Sequence, residues 1–428
     1  MIKRVLILAV GIVLGMTISV VGLRVAASWN WFPSRDLSRS TGYIREVMQL
    51  VNENYVSEQS AAYPALANNA IHGMVESLDP HSEFLEAKDA EEFEEDLAGE
   101  FGGVGLQLET RQNRAVVITP VPDSPGERAG IRRGDEIVSV DGKSLEAIGG
   151  VDNVVNRLRG KAKTKVIVGV LRPSTRATFT VTLVREIIKI DSVRNAKLLP
   201  GDVGYVEITE FSEHTGEQFT KALDGLLNDG ATSLVIDLRD NPGGLLDAAV
   251  DVTEPFFKKG ELIVYTEGRK KSDHEEYHAD LDGAPLSLPL VVLINEGTAS
   301  AAEIVTGALK DTGRAVIVGE RSYGKGSVQS IFDLKDGQRL RLTTARYYTP
   351  AGVTIHEKGI APHVEVVMTA DEDAKLARQR SRTDITDRKE FKARFGFEPV
   401  ADRQLEVAVD LLKAQRLLSA EKGAVLTQ

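Results

Sequence analysis

Residues 290–329 alternate apolar runs with small-residue corners, and this alternation restricts the fold more than any other feature of the chain. An apolar run at 290–294 leads through a short turn into a helical pattern that begins near Ser300, and a second run follows at 315–318. The same order recurs upstream, where the predicted elements are a strand at 203–208, a helix at 215–227 and a strand at 233–238. Strands that alternate with amphipathic helices predict an α/β layer fold with parallel pairing.

Two polar side chains lie at corners of this alternation. Ser300 is predicted where a strand meets a helix N-terminus, which favours negative charge developing on a substrate carbonyl. Lys325 lies in a Tyr-Gly-Lys-Gly corner, whose glycines let the backbone press the amine into a dry site and lower its pKa towards neutrality. If residues 325–332 form one strand, Gln329 shares a face with Lys325 and can accept its hydrogen bond. Taken singly, such a serine is more often a helix cap, and such a lysine a solvated group.

The two segments together resemble a known family. EGTASAAEI at 296–304 and GERSYGKGSVQ at 319–329 resemble the carboxyl-terminal processing proteases, also called tail-specific proteases, which are S41-type Ser-Lys peptidases with a PDZ domain. The resemblance implies a mixed α/β multidomain fold, in which a PDZ domain precedes a ClpP/crotonase-like protease core and helical segments lie at both ends. The roles it implies are nucleophile for Ser300, general base for Lys325, orienting residue for Gln329, and an oxyanion hole from Gly243 or Gly244 with Ala301.

A glycine-rich opening and valine-rich strands mark a separate module at about 101–186. Its AGIRRGDEI segment resembles a PDZ domain, a module that binds a chain terminus as an added strand while loop amides capture the carboxylate. The residues expected to bind the peptide are the loop and strand positions Gly102, Gly103, Val104, Gly105, Leu106 and Leu108, with the helix that begins near Val151 as the wall of the groove.

The N-terminus predicts export. Lys3 and Arg4 precede an uncharged apolar run at 5–23, and small residues at 25–27 match a signal-peptidase site. The run is also long enough to be an uncleaved anchor. Either reading places the body in the periplasm or elsewhere outside the cytoplasm, and the anchor would hold it at the inner membrane.

Charge and composition narrow the partners. The formal charge of −11 argues against nucleic acid, and the absence of cysteine excludes disulfides and thiol chemistry. His274 and His278 match the H-E-x-x-H zinc pattern, but no apolar stripe surrounds them, so neither a metal nor another cofactor is expected. His81 beside Ser82 is interpreted as a turn residue rather than a catalytic base. His363 departs from the Pro-Asp pair usual in the family, and a change in local turn bonding without lost catalysis is expected there.

The predicted organisation has six parts. They are a signal or anchor at 1–27, a helical region at 38–98, a PDZ domain at 99–187, a protease core at 188–368, a charged linker at 369–398 and a helical region at 399–428. The apolar stripe of the last helix is expected to pack on the core, with a subunit contact as the alternative.

The predicted function is that of an exported serine endopeptidase that recognises protein C-termini through its PDZ domain and cleaves or degrades cell-envelope proteins. The expected partners are protein substrates with apolar free C-termini, an accessory adaptor lipoprotein, and further copies of the chain joined through the terminal helices. The alternative is an inactive PDZ scaffold that gathers envelope partners.

Overall fold

The computed structural model describes residues 34–382 and 384–425. The chain divides into two compact units, Met1–Phe84 and Leu85–Gln428. The predicted signal or anchor at 1–27 lies outside the described residues. None of the helices in the described part of the chain is long and apolar enough to cross a membrane.

The first unit presents an exposed apolar helix face. Its elements are α1 (Arg35–Asn54), α2 (Tyr63–Glu76) and β1 (Glu83–Leu85), the last of which spans the boundary between the units. Ser34 caps α1 by accepting a hydrogen bond from the Leu37 amide at 3.0 Å. No residue of α1 is buried, so Ile44, Val47 and Leu50 remain exposed in the described chain.

The region predicted as a PDZ domain folds as an antiparallel sheet closed by a helix. Its elements and the helix that precedes it are α3 (Ala87–Ala98), β2 (Glu100–Gly103), β3 (Leu106–Arg111), β4 (Arg114–Pro120), α4 (Pro125–Arg128), β5 (Glu136–Val140), β6 (Lys143–Ser144), α5 (Leu145–Ile148), α6 (Val151–Leu158), β7 (Lys165–Arg172), β8 (Ala177–Val184) and β9 (Glu186–Lys189). The strand order is β3-β4-β5-β7-β8, with β6 paired to β5. Strand β3 is therefore an edge strand, and α6 packs its Val154 and Leu158 into the core beside it.

The strands at the two ends of this domain, β2 and β9, pair with each other as one antiparallel ribbon. The Gly102 amide donates to Glu95 at 3.2 Å, and Gly103 pairs within the ribbon. The prediction that Gly102 and Gly103 belong to the carboxylate-binding loop is therefore wrong, because α3 and β9 already engage them. The loop between β2 and β3 is limited to Val104 and Gly105.

The region from residue 193 to residue 425 contains two sheets, and helices cover both faces of the parallel one. Its elements are β10 (Val193–Leu199), β11 (Val203–Ile208), α7 (Thr215–Asn228), β12 (Ser233–Asp237), α8 (Leu246–Thr253), β13 (Leu262–Gly268), β14 (Glu275–His278), β15 (Leu290–Ile294), α9 (Ala301–Asp311), β16 (Val316–Gly319), β17 (Ser327–Asp333), β18 (Arg339–Tyr348), β19 (Val364–Glu365), α10 (Ala370–Arg380), α11 (Arg388–Phe395) and α12 (Arg403–Val425). Strands β11, β12, β15, β16 and β19 pair in parallel, and β10 is antiparallel at one edge. In the second sheet, β18 pairs with both β17 and β13, and β13 pairs with β14.

The parallel sheet lies between two helical layers. Helices α7, α8 and α9 bury Phe219, Val252 and Ile304 against one face. On the other face, Ala408 and Leu412 of α12 pack against the strands. The first half of the last helix thus belongs to the core, as expected from its stripe, and each fully buried leucine of this kind contributes about 1.5–3 kcal/mol.

Residues 369–398 are not a linker. They form α10 and α11, and Leu376, Ile385 and Phe391 are buried. The high charge density indicated a solvated segment, but several of its arginines pair with carboxylates elsewhere in the fold. One such pair joins Arg382 to Glu109. Ion pairs between residues remote in sequence are invisible to periodicity, so the linker prediction is wrong.

His363 extends the parallel sheet at the position where the family that the chain resembles usually has an aspartate. Its amide donates to the Ile317 carbonyl at 2.8 Å, and the Ile317 amide donates to its Nδ1 at 3.0 Å. Partial burial, and secondarily Lys310, lowers the pKa of the His363 imidazole, although much of the residue is exposed. The local bonding of this turn thus depends on a neutral ring.

Because Nδ1 must stay unprotonated, His363 should make the protein less stable in acid. The unfolded chain takes up this proton near pH 6.5 and the folded chain only at lower pH, so the stabilising effect is complete above 6.5 and is lost as pH falls below it. Between pH 7.5 and 5, urea unfolding should show a smaller loss for His363→Asn than for wild type. We expect a difference below about 1 kcal/mol, because the exposed ring lets water replace the bond. Identical pH dependences would contradict the assignment.

Candidate active site

Three loops meet at one edge of the parallel sheet. They follow β12, β15 and β16, whose carboxyl ends lie side by side. The loops contain the predicted oxyanion loop (residues 240–244), the turn before Ser300 and the corner that carries Lys325. Binding sites of parallel sheets commonly lie at this edge.

Ser300 occupies a strained position at the start of α9. Its φ of 54° lies in the left-handed region, which non-glycine residues rarely adopt, and its side chain is buried. Such strain is common where a nucleophile is held on a sharp strand-to-helix turn. A Cβ on Gly243 would lie 2.7 Å from the Ser300 Cβ, so only glycine allows the oxyanion loop to approach so closely.

One buried carboxylate joins the two corners. Glu303 Oε2 accepts hydrogen bonds from the amides of Ser300 at 2.9 Å and Lys325 at 2.8 Å. Its Oε1 accepts from the Gly324 amide at 2.8 Å and the Ser322 hydroxyl at 2.5 Å. Burial raises the pKa of Glu303, while these four donors oppose the change. Sequence reasoning missed this residue, although the Ser-x-x-Glu spacing of a capping box could have indicated it.

Lys325 is half-buried beside this carboxylate. Burial lowers the pKa of its amine, and the positive charge of Arg341 lowers it further. This direction agrees with the predicted general base. Among the hydrogen bonds of the described residues, none joins the Lys325 amine to the Ser300 hydroxyl. The structure therefore brings the two corners onto one carboxylate without a direct side-chain bond.

Gln329 is placed differently from the prediction. Strand β17 begins at Ser327, and its pairing with β18 shifts register between Val328 and Gln329. The Gln329 amide nitrogen donates to the hydroxyls of Ser327 at 2.9 Å and Thr343 at 3.2 Å. The expectation that an unbroken strand from 325 would pair Gln329 with Lys325 is wrong, because the strand starts later and is irregular.

The three predicted oxyanion donors, Gly243, Gly244 and Ala301, differ in whether their backbone amides are already hydrogen-bonded. The Gly243 amide donates to Asn241 Oδ1 at 2.8 Å and is already engaged. None of the hydrogen bonds found among residues 34–382 and 384–425 uses the amides of Gly244 or Ala301 as donors. Of the three predicted donors, Gly244 and Ala301 therefore keep backbone amides that the described hydrogen bonds leave free.

Side chains outside the predicted set hold these loops together. The Asn295 amide group exchanges two hydrogen bonds with Asp240, each of 2.8 Å. Thr298 donates its hydroxyl proton to the Leu238 carbonyl at 2.8 Å, and the Tyr323 amide donates to the Thr298 carbonyl at 2.9 Å. The three loops are thus cross-linked by bonds that depend on tertiary contact.

Tyr347 of β18 is a further buried neighbour of Ser300. Burial raises the pKa of its phenol to about 12, and a side-chain hydrogen bond with Ser300 acts in the opposite direction. The phenol is therefore neutral at physiological pH. No sequence signal distinguished it from an ordinary core aromatic.

The candidate peptide groove of the PDZ region is formed by β3 and α6. Leu106 and Leu108 pack against the domain core, and α6 begins at Val151 as predicted. Gly105 has a φ of 68°, and a Cβ there would lie 2.2 Å from Ser124. The described hydrogen bonds leave the Val104 and Gly105 amides unused. This loop can therefore offer donors to a carboxylate.

The H-E-x-x-H segment does not form a helix. Residues Glu275–His278 are strand β14, so His274 and His278 lack the helical spacing that would join them on a metal. Among the described residues, no group of three or more His, Asp or Glu side chains is arranged to hold a metal ion.

Comparison with known proteins identifies two regions and several relatives. Residues 202–366 match Peptidase family S41, and residues 116–172 match a PDZ domain. A carboxy-terminal-processing protease from Bartonella bacilliformis is 35% identical, with 98% of this chain and 97% of that protein covered. A probable CtpA-like serine protease from Staphylococcus aureus is 38% identical over 76% of this chain, which spans 64% of that protein. The solved photosystem II D1 C-terminal processing protease is 34% identical, with a TM-score of 0.44 and coverage of 76% of this chain and 92% of that one.

Proposed function

Because this chain belongs to peptidase family S41 and is a carboxy-terminal-processing serine peptidase with a PDZ domain, we propose that it is an exported endopeptidase with a Ser300–Lys325 dyad. The observation that carries the proposal is the Glu303 carboxylate, which accepts hydrogen bonds from the backbone of both residues. A single rigid anchor is what a two-residue catalytic unit on separate loops requires. The mixed α/β fold with helices at both ends agrees with that family.

The proposed reaction is acyl transfer through a covalent intermediate. Neutral Lys325 removes the Ser300 proton, and the serine oxygen attacks the scissile carbonyl. The amides of Gly244 and Ala301 stabilise the oxyanion, a contribution of about 2.7–4 kcal/mol per donor. Protonated Lys325 then donates a proton to the leaving amine, and water hydrolyses the acyl-enzyme. None of the described hydrogen bonds joins the dyad side chains. The proposal therefore includes a movement that brings the Lys325 amine within hydrogen-bond distance of the Ser300 hydroxyl.

The PDZ domain is proposed to bind the apolar free C-terminus of a protein substrate. The outer edge of β3, which has no partner strand in the PDZ sheet, and the free amides of Val104 and Gly105 support this role. The sequence of the N-terminus supports export to the periplasm or cell envelope, where the substrates would be envelope proteins. The exposed stripe of α1 supports contacts with further copies of the chain, and an adaptor lipoprotein remains part of the proposal.

The alternative is a scaffold that binds without cleaving. Purified wild type and Ser300→Ala should be incubated with unfolded casein, and both binding and fragment formation should be followed. Cleavage by wild type alone supports the endopeptidase. Binding by both without cleavage, also after addition of envelope extract to supply an adaptor, would support the scaffold.

Substitution of Gly105 should remove recognition of the substrate terminus. Gly105→Ala places a Cβ against Ser124 at a left-handed φ, so the loop must distort. We expect at least a roughly tenfold loss of preference for a peptide with a free carboxylate over its C-terminal amide, the equivalent of about 1.4 kcal/mol. The control is Gly130→Ala, whose added Cβ meets nothing within 4 Å although its φ is also positive. Equal preference in both variants would contradict the assignment of Val104 and Gly105 as the loop that binds the carboxylate.

A further inference from the structure

Residues 369–402, here called the C-terminal arm, contact the candidate active site. In the sequence they follow the region that matches the peptidase family, which ends at residue 366. Arg380, the last residue of α10, lies at the base of the oxyanion loop. Its Nη2 donates to Glu207 at 2.7 Å and to the Arg239 carbonyl at 3.3 Å, and its Nη1 donates to Asp240 at 3.2 Å. Arg380 therefore holds the backbone that leads directly to Gly243 and Gly244.

The end of the arm is fixed at the same place. Arg239 is 2% exposed, and its guanidinium donates to Asp237 at 2.6 Å and to both oxygens of Asp402 at 2.8 Å. A bidentate guanidinium–carboxylate pair fixes both distance and orientation. Two points of the arm, Arg380 and Asp402, thus hold the carboxyl end of β12.

The middle of the arm is attached to the PDZ domain. Arg382 Nη1 donates to one oxygen of Glu109 at 2.9 Å, and Arg394 donates to the other. Arg382 also forms a two-bond pair with Asp384 and is only 4% exposed. Buried, multiply bonded guanidinium groups of this kind do not move independently of their partners.

Glu109 lies on the strand that would receive the substrate terminus. A carboxylate captured at Val104 and Gly105 lies at the amino end of β3, so the bound chain must run antiparallel to β3 and pass Glu109. Leu106 and Leu108 face the domain core, and alternation therefore directs Glu109 to the opposite face, towards the arm. Only Ser381 separates Arg380, at the oxyanion loop, from Arg382, at this strand.

A cavity of about 950 Å³ lies between these contacts. Gln107 and Pro120 of the PDZ domain line one side, and Asp240 and Arg380 line the other. The PDZ domain is therefore not packed tightly against the oxyanion loop here. The arm provides the bonded connection across the space.

We propose that Arg380 is a positioning residue for the oxyanion loop, and that the Arg382–Glu109–Arg394 cluster makes its position depend on occupation of β3. The proposal rests on the PDZ and peptidase roles given above. Binding of a C-terminus along β3 changes the hydrogen bonds between Glu109 and Arg382. Because Arg380 lies two residues from Arg382, the change reaches Asp240 and the amide donors that follow it.

Hydrogen–deuterium exchange of the 240–245 amides tests the proposal without requiring catalysis. The variants are Arg380→Met, Arg380→Lys and the exposed control Arg388→Met on the same arm. We expect roughly 10-fold faster exchange in this segment for Arg380→Met, partial recovery with lysine, and wild-type exchange in the control. Unchanged exchange in Arg380→Met would overturn the positioning role, even if the chain is an active peptidase.

The coupling is tested with a synthetic peptide that ends in two valines, with its C-terminal amide as the control. The free-acid peptide should change exchange of 240–245 in wild type, and this response should be lost in Glu109→Gln.

In peptide hydrolysis, Arg380→Met should lower kcat roughly 10- to 100-fold with little change in KM. The kcat effects of Glu109→Gln and Arg380→Met should not add in the double variant. A peptide response retained in Glu109→Gln, or full additivity, would overturn the coupling. Failure of the proposed function would instead appear as absent hydrolysis by wild type with the exchange pattern intact.

Discussion

Lys325→Met should lower kcat for peptide hydrolysis by about 10²- to 10⁴-fold, the range that general-base catalysis contributes. The thioether of methionine has a similar length but cannot accept the Ser300 proton. The free energy of unfolding should not fall, because the substitution removes a half-buried amine whose charged form is already disfavoured by burial and by Arg341. Lys358→Met, which removes an exposed lysine, is the matched control and should keep full activity.

The pH profile supplies an independent measure of the same group. Only the neutral amine is a base, so kcat/KM should rise with pH through an apparent pKa below the ~10.4 of free lysine. The direction follows from burial, which disfavours the ammonium ion. Activity that survives in Lys325→Met with an unchanged profile would show that another group takes the proton.

Glu303→Ala should impair both stability and catalysis. It leaves three backbone amides, two of them buried, and the Ser322 hydroxyl without their acceptor, and each lost partner costs about 1–3 kcal/mol. We expect a fall of about 3–5 kcal/mol in the free energy of unfolding, since the relief of a buried carboxylate offsets part of the sum. We also expect at least about 10²-fold lower kcat, because the two corners lose their shared anchor.

Glu303→Gln separates the two effects. It keeps the volume and one acceptor oxygen, but its NH₂ group faces amide donors. Stability should therefore recover in part while kcat remains low. Glu296→Gln, on the exposed part of the same turn, is the control and should resemble wild type in urea unfolding and hydrolysis. Wild-type kcat in Glu303→Gln would contradict the anchoring role.

The sequence predicted the elements that repeat a local pattern. The alternation of apolar runs and helical stripes correctly indicated β15, α9 and β16, and it placed Ser300 at the corner between a strand and a helix. The strand that carries Leu106 and Leu108 and the helix that begins at Val151 were also predicted, because their patterns are local signals. These features depend on residues close together in the chain.

The remaining features depend on contacts between distant residues. Glu303 accepts bonds from a corner about twenty residues away, and Glu109 pairs with arginines more than 270 residues later. The arm was misread because its charges are neutralised by partners that no local window contains. Gln329 was misplaced because a register shift broke the assumed alternation. Periodicity reports which face is apolar, whereas ion-pair partners are set by the assembled fold.

The position of α12 makes the stability of the parallel sheet depend on residues that are remote from it in the sequence. Ala408 and Leu412 cover one face of the parallel sheet, and Asp402 neutralises the buried Arg239. Loss of these residues would uncover that face of the sheet and leave the buried Arg239 guanidinium with Asp237 as its remaining carboxylate partner, beside the oxyanion loop. The parallel sheet and the segment that covers it are therefore expected to unfold together, although they are far apart in the sequence.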